Sequence, residues 1–79
     1  MRAADLAFAM RTIAALRSGE ARKEREALGV RQADMADVLG VTRQAVSQWE
    51  AGVRRPSAAH ALRYGRTLAQ LTEDPAAFM

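Results

Sequence analysis

The chain has 79 residues, of which 12 are basic and 9 acidic, so its formal net charge is +3, and it contains no cysteine. A chain of this length supports one modest hydrophobic core, which excludes a second domain. Without cysteine there is no disulfide framework and no thiolate metal site, so the fold must depend on apolar packing. Because a reducing compartment suits such a chain, we expect a cytoplasmic location.

The N-terminal segment has the pattern of an amphipathic helix from about residue 3 to residue 17. Its large apolar residues recur at near-helical spacing, and they include Leu6, Met10, Ile13 and Leu16. Asp5 and Arg11 interrupt this apolar run, which is therefore too short for a signal-peptide core or for a membrane span of about 20 residues. We predict that the helix breaks at Ser18-Gly19, although one continuous helix to Leu28 is the competing interpretation.

Glycines punctuate the rest of the chain and predict a series of short helices without any strand. The predicted helical segments are 20–28, 32–39, 42–51 and 56 to about 71. The fold class that follows is all-α, a compact helix-turn-helix bundle of four core helices preceded by an extra N-terminal helix. The residues expected in its core are Leu28, Met35, Ala36, Leu39, Val46, Trp49, Leu62 and Leu68.

Residues 31–52 have the spacing of two short helices joined by a four-residue turn, Leu39-Gly40-Val41-Thr42. A DNA-reading helix-turn-helix uses this arrangement, because the second helix enters the major groove while the first crosses the backbone. The charge distribution also favours DNA binding, since the stretch 42–71 contains five arginines and a single acid, Glu50. We expect that positive excess to lie along a phosphate backbone.

Several motifs together resemble the lambda-repressor and Cro-like (XRE) helix-turn-helix family, over roughly residues 19–71. The matching motifs are Leu28-Gly29-Val30, Gln32-Ala33-Asp34-Met35-Ala36, Leu39-Gly40-Val41-Thr42, Val46-Ser47-Gln48-Trp49-Glu50-Ala51-Gly52 and Arg54-Arg55-Pro56-Ser57. The resemblance implies a sequence-specific regulator, a repressor, that binds double-stranded DNA. An antitoxin-type subunit, which neutralises a partner protein and autoregulates its operon, is the alternative function.

The resemblance also implies roles for individual residues. The residues expected to contact bases are Thr42, Arg43, Gln44, Ser47 and Gln48. Those expected to contact phosphates are Gln32, Arg54 and Arg55, together with Arg31, whose own charge and not the resemblance suggests the contact. Arg43 has the geometry for O6 and N7 of guanine, and Gln44 for N6 and N7 of adenine. Arg25 and Glu50 match a structural ion pair inside the fold.

Two positions depart from the family pattern. Arg31 stands where a serine or threonine usually caps the helix, so that helix start loses a hydroxyl acceptor; the alternative is that the arginine matters because it reaches a phosphate. Ala21 stands where a larger aliphatic residue is common, which leaves space in the core that another element must cover.

We divide the chain into an N-terminal helix at 1–18, a DNA-binding domain at 19–71 and a short C-terminal tail at 72–79. The first helix is expected to cover the space beside Ala21 and to join two subunits in a homodimer; the alternative is that it packs only on its own domain. Its candidate dimer contacts are Leu6, Phe8, Met10, Ile13 and Leu16. A two-fold dimer would present two recognition helices about 34 Å apart and would require a near-palindromic operator.

Nothing in the sequence suggests catalysis. His60 is the only histidine, no cysteine accompanies it, and no spacing of histidines and carboxylates predicts a metal ligand set. We therefore expect no enzyme activity, no metal and no cofactor.

Overall fold

A computed structural model describes residues 1–73 of the chain, and these residues form five α-helices without a strand. The helices are α1 (Ala3–Ser18), α2 (Glu20–Ala27), α3 (Gln32–Leu39), α4 (Arg43–Glu50) and α5 (Ala58–Glu73). The predicted all-α bundle with an extra N-terminal helix is thus confirmed. The last helix continues to Glu73, beyond the predicted end near Leu71. Of the predicted tail at 72–79, residues 74–79 lie outside the described part of the chain.

The first two helices are separate, and Gly19 is the reason. Its φ of 86° lies in the left-handed region, where residues with a side chain are disfavoured. The Gly19 N–H donates to the carbonyl of Leu16 at 3.3 Å, which closes the last turn of α1. The predicted break at Ser18-Gly19 is correct, and a continuous helix through this point is excluded.

The core consists of two neighbouring clusters of apolar side chains. The larger cluster contains Leu16, Ala21, Met35, Ala36, Leu39, Val46, Trp49, Tyr64 and Leu68. The smaller one contains Ala9, Ile13, Ala61 and Leu62. All the predicted core residues are buried except Leu28, which is half-buried against the larger cluster. Tyr64, which is not among the predicted core residues, is fully buried.

The N-terminal helix packs along α5 and belongs to the core of its own protomer. Ile13 and Leu16 are only 7% and 1% exposed, so their assignment as dimer contacts is wrong. Leu6 and Met10 remain 46% and 39% exposed. Ala21 is buried in the same cluster as Leu16, so α1 packs beside this small side chain, and an open groove lined by Ala15 and Ala21 remains next to it.

A glycine in the middle of α5 permits this close contact between α1 and α5. Gly65 is buried, and a β-carbon added there would collide with Oγ1 of Thr12 and with the ring of Phe8. The helices therefore approach more closely than they could with any larger residue at this position. Within residues 1–73, no helix combines the length and the apolar character that a bilayer crossing requires.

Candidate nucleic-acid interface

The second helix of the motif, α4, buries one side and presents the other to solvent. Val46, Trp49 and Glu50 are buried, and this side fixes the helix on the core. All five predicted base-contacting residues are accessible: Thr42, Arg43 and Gln44 are exposed, and Ser47 and Gln48 are half-buried. Among the described residues, the side chains of Arg43, Gln44 and Gln48 make no hydrogen bond, so their donors and acceptors are available to a ligand.

The start of α4 is held by its own cap. Thr42 has an extended backbone, and its hydroxyl oxygen accepts a hydrogen bond from the N–H of Ala45 at 3.1 Å. Such a cap satisfies one of the unpaired N–H groups in the first turn of a helix. The hydroxyl oxygen is therefore already an acceptor within the fold, and the hydroxyl hydrogen and the methyl group of Thr42 remain for a base contact.

The turn between α3 and α4 is fixed by a residue from α5. Gly40 adopts a φ of 69°, and the Val41 N–H donates to the carbonyl of Ala36 at 3.0 Å. The guanidinium of Arg63 donates to the carbonyls of Leu39 and Val38, both at 2.9 Å. Since these carbonyls have no partner within their own helix, Arg63 caps the C-terminus of α3 and stabilises the turn that orients α4.

Glu50, at the end of α4, is the acceptor for three other helices. Arg25 of α2 donates from Nε to Oε2 at 2.7 Å and from Nη2 to Oε1 at 2.9 Å. Tyr64 of α5 donates its hydroxyl to Oε2 at 2.7 Å, and Gln32 of α3 donates its amide to Oε1 at 3.0 Å. Arg25 and Glu50 are 5% and 6% exposed, so this is a buried, fully hydrogen-bonded ion pair.

The network sets the protonation of its members. Burial alone raises the pKa of Glu50, but hydrogen bonds from Arg25, Tyr64 and Gln32 outweigh it, and the pKa lies below its ordinary value. Burial and then the hydrogen bond to Glu50 raise the pKa of Tyr64. The carboxylate therefore stays ionised and the phenol stays neutral throughout the physiological range.

The N-terminus of α3 carries the first two residues that the sequence assigned to phosphates. Gln32 uses one of its two amide hydrogens on Glu50, so the second remains for an outside acceptor. Arg31 cannot cap the helix as serine or threonine would; instead the Asp34 carboxylate accepts its backbone N–H at 3.0 Å. Asp34 also pairs with the exposed Arg31 guanidinium at 2.9 Å, so that charge is partly balanced within the fold.

The five arginines of residues 42–71 do not all face one partner. Arg63 caps α3, and Arg66 pairs with Asp5 of α1 at 2.8 Å. The expectation that the whole positive excess lies along a phosphate backbone is therefore too broad. Arg43, Arg54 and Arg55 form no ion pair within residues 1–73; Arg43 is the first residue of α4, and the other two follow the C-terminal end of this helix.

The loop that carries Arg54 and Arg55 has a defined shape. The N–H groups of Val53 and Arg54 both donate to the carbonyl of Gln48, at 3.0 and 3.2 Å. Both arginines are exposed, while Pro56 is buried. The loop thus holds two cations at the C-terminal end of α4, whose eight residues span roughly 12 Å.

The single histidine packs as a structural residue. His60 is half-buried, and its ring lies 5.5 Å from the ring of Trp49. Within the described part of the chain, no three histidine or acidic side chains come together as a possible metal site.

A small helical bundle whose helix-turn-helix presents an accessible polar face, flanked by unpaired arginines, defines a DNA-binding protein of the helix-turn-helix class. Comparison with known families agrees with this geometry, because the family described as "Helix-turn-helix" matches residues 22–73. The chain belongs to the lambda-repressor and Cro-like (XRE) helix-turn-helix family. Searches of curated proteins and of solved structures found no match.

Proposed function

We propose that the protein is a cytoplasmic, sequence-specific transcriptional repressor that reads the major groove of double-stranded DNA with α4. The observation that carries this proposal is the accessible side of α4, where Arg43, Gln44 and Gln48 have no hydrogen-bond partner among residues 1–73. A guanidinium at position 43 can donate two hydrogen bonds to guanine, and an amide at position 44 can pair with adenine. Phosphate contacts, which set the register of the protein on the duplex, come from Gln32, Arg54 and Arg55. Arg31 adds a further contact while its guanidinium stays paired with Asp34.

The repressor role rests on the resemblance to lambda repressor and Cro. A protein of this shape that occupies the groove excludes other proteins from the same stretch of duplex by steric overlap. A reporter gene with the selected site placed inside its promoter tests this role. Expression should fall when the protein is present and recover with the variant Gln44→Ala.

Selection of binding sites from random duplex DNA tests the central proposal. We expect a recovered consensus that the protein prefers over random DNA by about 10³-fold or better at physiological salt. Arg43→Ala should lose part of this preference, whereas Arg22→Ala, an equal charge change on the exposed side of α2, should retain it. A parent protein that recovers no consensus would refute sequence-specific recognition.

We also propose that the regulator binds a near-palindromic operator as a homodimer. Leu6 and Met10 lie one turn apart on α1 and are exposed, and Phe8 is half-buried, which supports this helix as the contact. Removing α1 is a poor test, because it would also remove Ile13 and Leu16 from the core. The paired change Leu6→Glu and Met10→Glu should instead yield a folded monomer by light scattering, and an unchanged mass would exclude this interface.

The same exposed apolar side chains support the second candidate, an antitoxin-type subunit with a protein partner. Stoichiometric co-purification of a toxin-like protein from the native host, lost in the Leu6→Glu and Met10→Glu variant, would favour this function. The two functions are compatible, because an antitoxin of this fold also binds its own operator.

A further inference from the structure

A small cleft between α1 and the loop after α4 is lined by three arginines, one from α1 and two from the loop. Arg17, in the last turn of α1, lines this cleft of about 60 Å³ together with Arg54 and Arg55. Trp49 and Pro56, both buried, form part of its wall. Among residues 1–73, no acidic side chain lines the cleft.

These three arginines lack the ion pairs and backbone carbonyl contacts that most of the other arginines form. Arg22, Arg25, Arg31 and Arg66 form ion pairs, and Arg63 caps α3. Within residues 1–73, Arg17 and Arg54 make no side-chain hydrogen bond, and Arg55 has only a 3.6 Å contact from Nη2 to the sulfur of Met10. Like charges that share a cleft repel each other and attract a counter-ion, so the cleft is suited to an anion.

The cleft lies at the C-terminal end of the recognition helix. Its wall includes Trp49 of α4, and the Arg54 N–H donates to the carbonyl of Gln48. A helix that enters the major groove has phosphate backbones on both sides, and cations beside the helix therefore meet phosphates. Arg17, Arg54 and Arg55, which line the cleft at this end of α4, are therefore suited to meet a phosphate that flanks the groove.

We propose that Arg17 joins Arg54 and Arg55 in binding the DNA phosphate backbone, which makes α1 part of the DNA interface. This inference rests on the proposed function. Arg17 precedes the family match at residues 22–73, so the contact belongs to the way in which this chain adds α1 to the family core. The contact strengthens binding to any duplex and carries no sequence preference.

Arg17 also has an ordinary structural role, since a cation in the last turn of a helix interacts favourably with the helix dipole. Stability alone therefore cannot reveal a phosphate contact. The salt dependence of DNA binding can, because each phosphate contact releases counter-ions and adds about 0.9 to the slope of log K against log salt. A purely structural arginine leaves that slope unchanged.

The test measures the dissociation constant over a range of salt concentrations, for a selected duplex and for a random one. The parent protein is compared with Arg17→Gln and with Arg11→Gln, an equal charge change on the same helix at a residue that does not line the cleft. We expect Arg17→Gln to weaken binding to both duplexes by the same factor and to reduce the slope by about 0.9. Arg11→Gln should keep the parental slope, and melting temperatures verify that both variants are folded.

Each outcome bears on the inference separately from the proposed function. An unchanged slope for Arg17→Gln, in a protein that retains its sequence preference, overturns the inference alone. A reduced slope in a protein that shows no sequence preference supports the phosphate contact and refutes the proposed specific regulator. A parent protein that does not bind duplex DNA overturns both.

Discussion

The hydroxyl of Tyr64 donates a 2.7 Å hydrogen bond to Oε2 of Glu50, the same oxygen that accepts from Nε of Arg25. With Gln32 on the other oxygen, one carboxylate joins α2, α3, α4 and α5. Glu50, the last residue of the recognition helix, is therefore anchored in the core, while the opposite side of the helix stays accessible. A network of this kind is favourable only when every member is satisfied, as it is here.

Removing the carboxylate of Glu50 should destabilise the fold more than removing the hydroxyl of Tyr64. Glu50→Ala leaves the Arg25 charge buried without its partner, and we expect a loss of about 3–5 kcal/mol in the free energy of unfolding. Tyr64→Phe removes one hydrogen bond to a charged group and should cost about 1.5–3 kcal/mol. Urea denaturation measures both values.

Arg22→Ala is the control for these two variants, because its pair with Glu26 is exposed and worth about 1 kcal/mol or less. DNA sequence preference should persist in Tyr64→Phe where the protein remains folded. A urea midpoint for Glu50→Ala equal to that of the parent protein would show that the buried pair does not stabilise the fold.

Acid should weaken the fold through Glu50. Because the pKa of this carboxyl is lowered in the folded state, its contribution is fully present above the unfolded value of 4.5 and is lost as the pH falls through the folded value. Unfolding free energies of the parent and Glu50→Gln should therefore converge as the pH is lowered below 4.5. A constant difference between them across that window would contradict the lowered pKa.

Gly65→Ala should destabilise the contact between α1 and α5. Alanine favours a helix over glycine by about 1 kcal/mol, but overpacking in a close contact typically costs about 1–3 kcal/mol. Because the added carbon would collide with Thr12 and Phe8, we expect a net loss. The double variant Gly65→Ala, Thr12→Ala should recover part of it, and a stabilised single variant would show that α1 can move away without cost.

Base contacts and phosphate contacts should separate in binding measurements. Gln44→Ala should relax the preference at one base pair of the site by about 1–3 kcal/mol, with little change on random DNA. Arg54→Ala should weaken specific and random binding alike and reduce the salt slope by about 0.9. Equal effects of the two variants on both duplexes would contradict this division of roles.

Local chemistry accounts for the parts that could be predicted from the sequence. Gly19 and Gly40 end helices because they adopt positive φ, and Thr42 starts one because its hydroxyl accepts an N–H three residues later. These are interactions between near neighbours in the chain, so the breaks between these helices and the start of α4 follow from residue order.

Only the tertiary structure decided which distant residues meet. Arg63 and Arg66 belong to the positive excess that the sequence shows over residues 42–71, but packing brings them to carbonyls of α3 and to Asp5 of α1. The sequence also suggested Ile13 and Leu16 for a dimer, because an apolar helix face does not reveal whether a second subunit or α5 will cover it. Tyr64 was missed for the same reason, since the acceptor of its hydroxyl lies on another helix. Such pairings depend on how closely the helices approach one another, and the spacing of residues along one chain segment does not contain that information.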